Sequence, residues 1–261
     1  MTCLLSMREL SISFGGIAAV QNVSIDIPKG QIYSIIGPNG AGKTTLFNIV
    51  SGVYAPDNGS VLLDGRDITA LPPDRLSRLG MSRTFQNLQI FFRMSAIENV
   101  MVGCHRHEKT SIVSQMLGLP SVNAENRNSE RRAREFISFV GLDRYADHSA
   151  GAMPYGALKR LEIARSLATE PSILLLDEPA AGCNPTETEE VEQVIRKIAD
   201  RGITVLLVEH DMKLVMRISN RIIVLDRGKQ IFEGNAKGVQ SDPHVIAAYL
   251  GAHGVREAAS A

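Results

Sequence analysis

Neither sign of charge is in excess in this 261-residue sequence: 28 Lys and Arg stand against 28 Asp and Glu. That balance excludes recruitment of nucleic acid or an anionic membrane surface by net charge, and no nucleic-acid partner is expected. Cysteine is scarce. Cys3, Cys104 and Cys183 are odd in number, widely spaced and unlike any zinc-ligand pattern, which suits unpaired thiols in a reducing compartment, the cytosol. Long apolar runs are missing too: none approaches the roughly 18 residues that cross a bilayer, and the opening MTCLLSMREL lacks the apolar centre of a secretory signal. The chain itself is therefore expected to stay out of the membrane. Internal repeats are absent, and the one low-complexity stretch is the short Ala-rich end.

What the chain does have is apolar content in a clear order. With 44% hydrophobic residues it can bury the core of one large domain, or of a domain with a subdomain. From Leu10 to Gly65, short alternating stretches (ELSISF, VSIDI, SVLLDG) are separated by Gly, Pro, Asn and Asp, the pattern of small antiparallel strands. Ile32 to Ile36 interrupts them as a continuous apolar run and predicts a buried strand. SILLLD (172–177), ITVLLVE (203–209) and RIIVLD (221–226) alternate with helical stretches, which predicts a parallel sheet covered on both faces. The helix between the first two has Asn184 to cap it, Pro185 in its first turn, Glu187 at the capping-box position and Gly202 beyond its end. Val191, Val194, Ile195, Ile198 and Ala199 form its buried stripe. Between Asn87 and Ala150, helical periodicity with charge-rich connections predicts an inserted helical subdomain.

Gly37 to Thr45, GPNGAGKTT, fits the phosphate-cradling pattern G-x-x-x-x-G-K-[ST], with a buried strand before it and the helical KTTLFNIVSG after it. Gly37, Gly40 and Gly42 let successive backbone N–H groups, with those of Asn39, Ala41 and Thr45, turn inward on the β- and γ-phosphates of a nucleotide. Lys43 adds a point charge, and the Thr44 hydroxyl is a ligand for Mg²⁺. LLLDEP then closes a buried strand with two carboxylates: Asp177 to hold Mg²⁺ through water, and Glu178 to polarise an attacking water. The base-reading N-K-x-D of guanine-specific proteins does not occur. MPYGALKRLEIAR (153–165) is a glycine turn running into a helix with Leu158, Leu161, Ala164, Leu167 and Ala168 on its core side. Gly156 lies 21 residues before Asp177, at an open helix N-terminus that favours an anion.

Together these motifs resemble the ATP-binding cassette family over essentially the whole chain. The resemblance implies a P-loop NTPase fold: a RecA-like parallel-sheet core over 1–86 and 151–226 with an N-terminal antiparallel β subdomain, a helical subdomain over 87–150 and a C-terminal extension over 227–261, all within one ATPase domain. It implies that Tyr155 and Gly156 belong to the signature motif, which meets the γ-phosphate of ATP held by a second copy. Phe14 in SFGG, 23 residues before Gly37, resembles the aromatic that stacks on adenine. Gln86 in TFQN resembles the Q-loop glutamine, which contacts Mg²⁺ and the attacking water. His210 in VEHD resembles the switch histidine that senses the γ-phosphate, and AAGCNP (180–185) takes the D-loop position with Asn184 where many members have Asp.

The commonest signature is L-S-G-G-Q. Here Met153, Pro154, Tyr155, Gly156 and Ala157 stand in its place, so the serine hydroxyl is absent and only Gly156 carries over cleanly. The Pro-Tyr-Gly turn with RLEIAR, DEPAAG, EHDMKLVM and VIAAYLG resembles the ATPase subunits of high-affinity branched-chain amino acid importers, some of which have Gln where Leu158 stands. That implies an ATP- and Mg²⁺-dependent dimer, of this chain or with a paralogue. It works on the cytoplasmic side of separate transmembrane permease subunits, with a periplasmic substrate-binding protein engaged indirectly. A lipid or glycolipid exporter, and a soluble cassette protein acting on ribosomes or DNA, are the rival readings. The apolar NLQIFFRMSAIENV is either a socket for a permease helix or internal core. His105 and His107 lack a third ligand, and Arg131, Arg132 and Arg134 alternate with Glu130 and Glu135 as a solvated face.

Overall fold

The computed structural model describes residues 3–107 and 120–249. Two sheets organise them. Strands β1 (Cys3–Phe14) and β2 (Ile17–Pro28) pair antiparallel, and β4 (Asn58–Leu63) and β5 (Arg66–Asp67) extend them into a four-stranded sheet ordered β2-β1-β4-β5. Along β2 buried and exposed residues alternate, so one face turns to the core and the other to water. The second sheet is ordered β10-β9-β3-β8-β7-β6. Its members are β3 (Ile32–Ile36), β6 (Met81–Arg83), β7 (Ile173–Asp177), β8 (Thr204–Val208), β9 (Arg221–Asp226) and β10 (Lys229–Gly234). Strands β6, β7, β8, β3 and β9 run parallel, whereas β10 is antiparallel to β9. Every residue of β3, β7 and β8 is buried, as expected of mostly apolar strands between two covered faces. Edge strands β6 and β10 leave no comparable apolar run in the sequence, and β10 falls within the stretch after 227.

The helices are α1 (Lys43–Val50), α2 (Pro73–Arg78), α3 (Ala96–Cys104), α4 (Pro120–Phe139), α5 (Tyr155–Leu167), α6 (Pro185–Asp200), α7 (Met212–Ile218) and α8 (Ala236–Ser241). Helix α6 starts on a complete capping box: the Asn184 side chain accepts from the Glu187 N–H and the Glu187 carboxylate accepts from the Asn184 N–H, both at 3.0 Å. Val191, Val194, Ile195 and Ile198 are buried along one stripe, each contributing about 1.5–3 kcal/mol of transfer free energy. Residues 87–150 carry α3, α4 and short 3₁₀ turns, with no strand among the described residues, and α3 packs on both α4 and α5. One core joins this insertion to one face of the large sheet through Ile97, Val100, Ile137, Leu161, Leu174 and Ile195. Another fills the opposite face against the antiparallel sheet through Leu5, Ile25, Phe47, Leu175 and Leu206. Among the described residues no helix is long and apolar enough to cross a membrane.

Candidate nucleotide site

The chain leaves β3 at Gly37 and re-enters helix at Lys43. Gly42 has φ +96°, and a Cβ there would lie 2.4 Å from the Ala19 carbonyl oxygen, so the loop passes where only glycine fits. Helix α1 begins with no side-chain cap, so no capping side chain takes up its first-turn N–H groups. The Lys43 ammonium folds back over the loop and donates to the carbonyls of Gly37 (2.7 Å) and Pro38 (3.0 Å). Burial pushes its pKa below the ordinary lysine value, and the charge of Glu178 opposes that shift. Asn39, Gly40 and Thr44 are exposed at the rim, Thr45 is half-buried, and Ala41 is buried beneath.

Strand β7 delivers Asp177 and Glu178 to the same edge of the sheet. Glu178 has φ +49°, a left-handed conformation that six other non-glycine residues share among the described residues, so strain alone marks nothing. Its partners do. Oε1 lies 2.8 Å from His210 Nε2, and Oε2 accepts from Gln86 Nε2 at 3.2 Å. Gln86 and His210, from two other loops, thus meet on the Glu178 carboxylate, which is close enough to Lys43 for the two charges to interact. Asp177 is buried, and its Oδ2 takes a 2.8 Å ion pair from Arg83 Nη2. The other nitrogen of that fork donates to Asn48 Oδ1 (2.7 Å) and Ser51 Oγ (2.5 Å), and the guanidinium rests against the rings of Phe47 and Phe85. Phe14 is 47% exposed, and Tyr54 meets it edge-on at 5.4 Å.

The 153–157 turn is placed apart from the phosphate-type loop; no hydrogen bond or ion pair of the described residues links Tyr155 or Gly156 to residues 37–45. Gly156 is the second residue of α5, and its N–H donates to Glu187 Oε1 at 3.2 Å. A Cβ on Gly156 would come within 2.5 Å of the Glu187 side chain, so a larger residue there would have to displace that side chain. The Tyr155 ring lies against Gly182 and near the Lys159 ammonium.

Residues 20–181 match the family model for the ABC transporter. The chain belongs to the ABC transporter family. As a member it is an ATP-binding cassette of the transport-ATPase kind, built on a P-loop NTPase fold. Residues 229–255 also match the model for the branched-chain amino acid ATP-binding cassette transporter. The cassette is 43% identical over 249 residues, 95% of this chain and 98% of its relative, to the high-affinity branched-chain amino acid transport ATP-binding protein BraF of Pseudomonas aeruginosa. A crystal structure of the ADP conformation of an ATP-binding cassette of an ABC transporter superposes with TM-score 0.84 at 32% identity, covering 96% of this chain and 100% of that one. The dimeric structure of a bacterial ABC transporter cassette superposes with TM-score 0.74 at 27% identity, over 89% and 99%.

Several residues of the cassette that organise the site carry little signal of that role in the linear sequence. Lys159 is buried, and its ammonium donates to the backbone oxygens of Glu178 (3.3 Å) and Gln86 (3.5 Å). Glu162, also buried on α5, accepts from the N–H groups of Phe85 and Gln89. Arg83, Glu187 and Glu209 belong with them. A charged residue ending or interrupting an apolar stretch, as in MSRTF, RLEIA and LLVEH, is the one linear hint for Arg83, Glu162 and Glu209. The apolar NLQIFFRMSAIENV divides: Ile90, Ile97 and Val100 are core, while Phe91 and Phe92, like Phe85 nearby in the sequence, are half exposed. Arg134 pairs with Glu130 and Asp147, and Arg132 with Glu170, on an open helix face. No cluster of three or more His, Cys, Asp or Glu among the described residues is arranged to hold a metal, and the His107 side chain lies outside them.

Proposed function

We propose that the cassette hydrolyses ATP to drive import of branched-chain or related hydrophobic amino acids through separate membrane permeases. The observation that carries the hydrolytic reading is the Glu178 carboxylate, bracketed by Gln86 and His210 and sharing its field with Lys43. The cargo rests on the likeness to the BraF protein and to the branched-chain model over 229–255. In this reading residues 1–86 and 151–226 form the nucleotide core, 87–150 the helical subdomain, and 227–261 an extension appended through β10.

The phosphate chain lies in the 37–45 loop with adenine on Phe14. Lys43 neutralises the β- and γ-phosphates, and loop N–H groups from Asn39 to Thr45 complete the cradle. Glu178 orients a water and takes up its proton as the water oxygen attacks the γ-phosphorus in line and ADP departs; Gln86 and His210 hold that carboxylate and the γ-phosphate in register. Asp177, Thr44 and Gln86 offer the oxygen donors Mg²⁺ prefers. The fit is sound: Arg83 occupies Asp177 Oδ2, no hydrogen bond or ion pair of the described residues takes Oδ1, and Thr44 is exposed. Bound there, the ion supplies neutralisation of charge on the β- and γ-oxygens.

Gly156 and Tyr155 face a second ATPase subunit, identical or paralogous, whose nucleotide they close over. The pair sits against the cytoplasmic side of the membrane, exposed Phe85, Phe91 and Phe92 receive a permease helix, and a periplasmic binding protein delivers cargo to the permeases. The test is leucine uptake by cells lacking the gene. The parent chain restores it, and Lys43→Ala and Glu178→Gln do not. Uptake that is indifferent to the gene, with the cassette recovered on ribosomes from detergent extracts, would overturn the importer reading.

A further inference from the structure

Glu209 follows the buried strand β8 and is itself only 3% exposed. A carboxylate taken out of water is costly unless every lone pair finds a donor. Among the described residues it makes no ion pair; three backbone N–H groups hold it instead. Oε1 accepts from Ala180 at 3.0 Å, and Oε2 accepts from His210 at 2.8 Å and Asp211 at 3.3 Å. One carboxylate therefore ties the turn that follows Glu178 to the turn that begins with His210.

The same two turns carry the 2.8 Å contact between Glu178 and His210. The His210 side chain is 48% exposed. Its position is set by its backbone, and the backbone is held by Glu209 on one side and by the Asp211 cap of α7 on the other. Glu178 is fixed from its own side by its N–H bond to Val208 and by Lys159 on its carbonyl. Glu209 is the side chain that joins the two halves.

We propose that Glu209 is a positioning residue for ATP hydrolysis, clamping the 178–181 turn to the 210–211 turn so that His210 meets Glu178. It touches neither nucleotide nor water and acts through His210. The inference rests on the hydrolytic reading of Glu178 and His210 above. In Glu209→Gln one oxygen becomes an NH₂ that cannot accept, so one of the two turns is released. The expected result is a kcat about 10-fold lower, which corresponds to about 1.4 kcal/mol of barrier, with the KM for ATP within about twofold because the 37–45 loop and Phe14 are untouched. Glu209→Asp, charged but too short to span both turns, should behave alike and guards against a fold-specific defect of the amide. Backbone exchange should quicken at Ala180 or at His210 and Asp211 while the β7–β8 ladder stays protected.

The deciding measurement is a cycle with His210→Ala. If Glu209 acts through His210, Glu209→Gln in that background lowers kcat less than twofold further. A Glu209→Gln enzyme at the parent kcat, or one whose loss is undiminished in the His210→Ala background, overturns the clamp alone. A His210→Ala enzyme at the parent rate instead overturns the hydrolytic role of His210, and the clamp with it.

Discussion

Replacing Arg83 by Met tests how the Asp177 carboxylate is held. In the parent the pair lies at 2.8 Å with side chains 11% and 6% exposed, and the same guanidinium satisfies Asn48 and Ser51 and covers two aromatic rings. Met keeps much of the contact with Phe47 and Phe85 but leaves Asp177 as a buried charge without its cation. Removing one partner of a buried pair costs about 3–5 kcal/mol; the retained ring contacts place this case near the lower end, about 3 kcal/mol. At about 2–4 °C per kcal/mol for a chain of this size, the melting temperature should fall by about 6–12 °C. The assay is urea unfolding of Arg83→Met, Asp177→Asn and the double variant. Removing both charges leaves no isolated ion, so the double variant should lose less than the sum of the singles by at least about 1.5 kcal/mol. A single-variant loss below about 1 kcal/mol, with additivity in the cycle, refutes the buried-pair argument.

Three further outcomes are expected. Glu178→Gln should bind ATP, persist as a long-lived closed dimer and turn over very slowly, read by gel filtration with ATP and by phosphate release; turnover at the parent rate removes Glu178 from its assigned role. Glu187→Gln retains a capping oxygen for the Asn184 N–H but takes a negative charge away from the Gly156 amide. The ATP concentration that closes the dimer, measured in the Glu178→Gln background, should then drop several-fold, and an unchanged or higher value speaks against a phosphate at that turn. The Glu162 carboxyl is held above the ordinary glutamate value, by burial first, against N–H bonds from Phe85 and Gln89 and the charges of Lys159 and Arg165. A raised folded-state value means the proton is bound more tightly folded than unfolded. The stability it contributes is full below the ordinary value and lost as pH rises through the folded value. Glu162→Gln should therefore gain on the parent between pH 4 and pH 8 in urea midpoints, and an equal difference at both ends contradicts the shift.

The elements read most plainly from the sequence were those whose environment is uniform along the chain. Strands β3, β7 and β8 are buried along their whole length and β9 over its four central residues, so their runs are mostly apolar. Helix α6 announces itself through Asn184, Pro185 and Glu187, because caps are local chemistry. Edge strands β6 and β10 stayed silent: three residues beside one neighbour, and a half-buried hairpin arm, need no distinctive pattern. Around the site, the glycine loop, Lys43, the Asp177–Glu178 pair, Gln86 and His210 could be nominated from short motifs or by resemblance. The site contacts of Arg83, Lys159, Glu162, Glu187 and Glu209 could not, since each reaches a partner far along the chain, even where, as for Glu187, the residue's local capping role was legible.

What the sequence determined alone was local: where the chain must turn through glycine, which runs must be buried, where a helix begins, and the charge of each group. Tertiary structure decided which of those charges meet. Glu178 binds Gln86 and His210 because β6, β7 and β8 lie side by side and end at the same edge. The physical reason is that hydrogen bonds and ion pairs act over about 3 Å of space, a distance that the order of strands in a sheet sets and the order of residues in a chain does not.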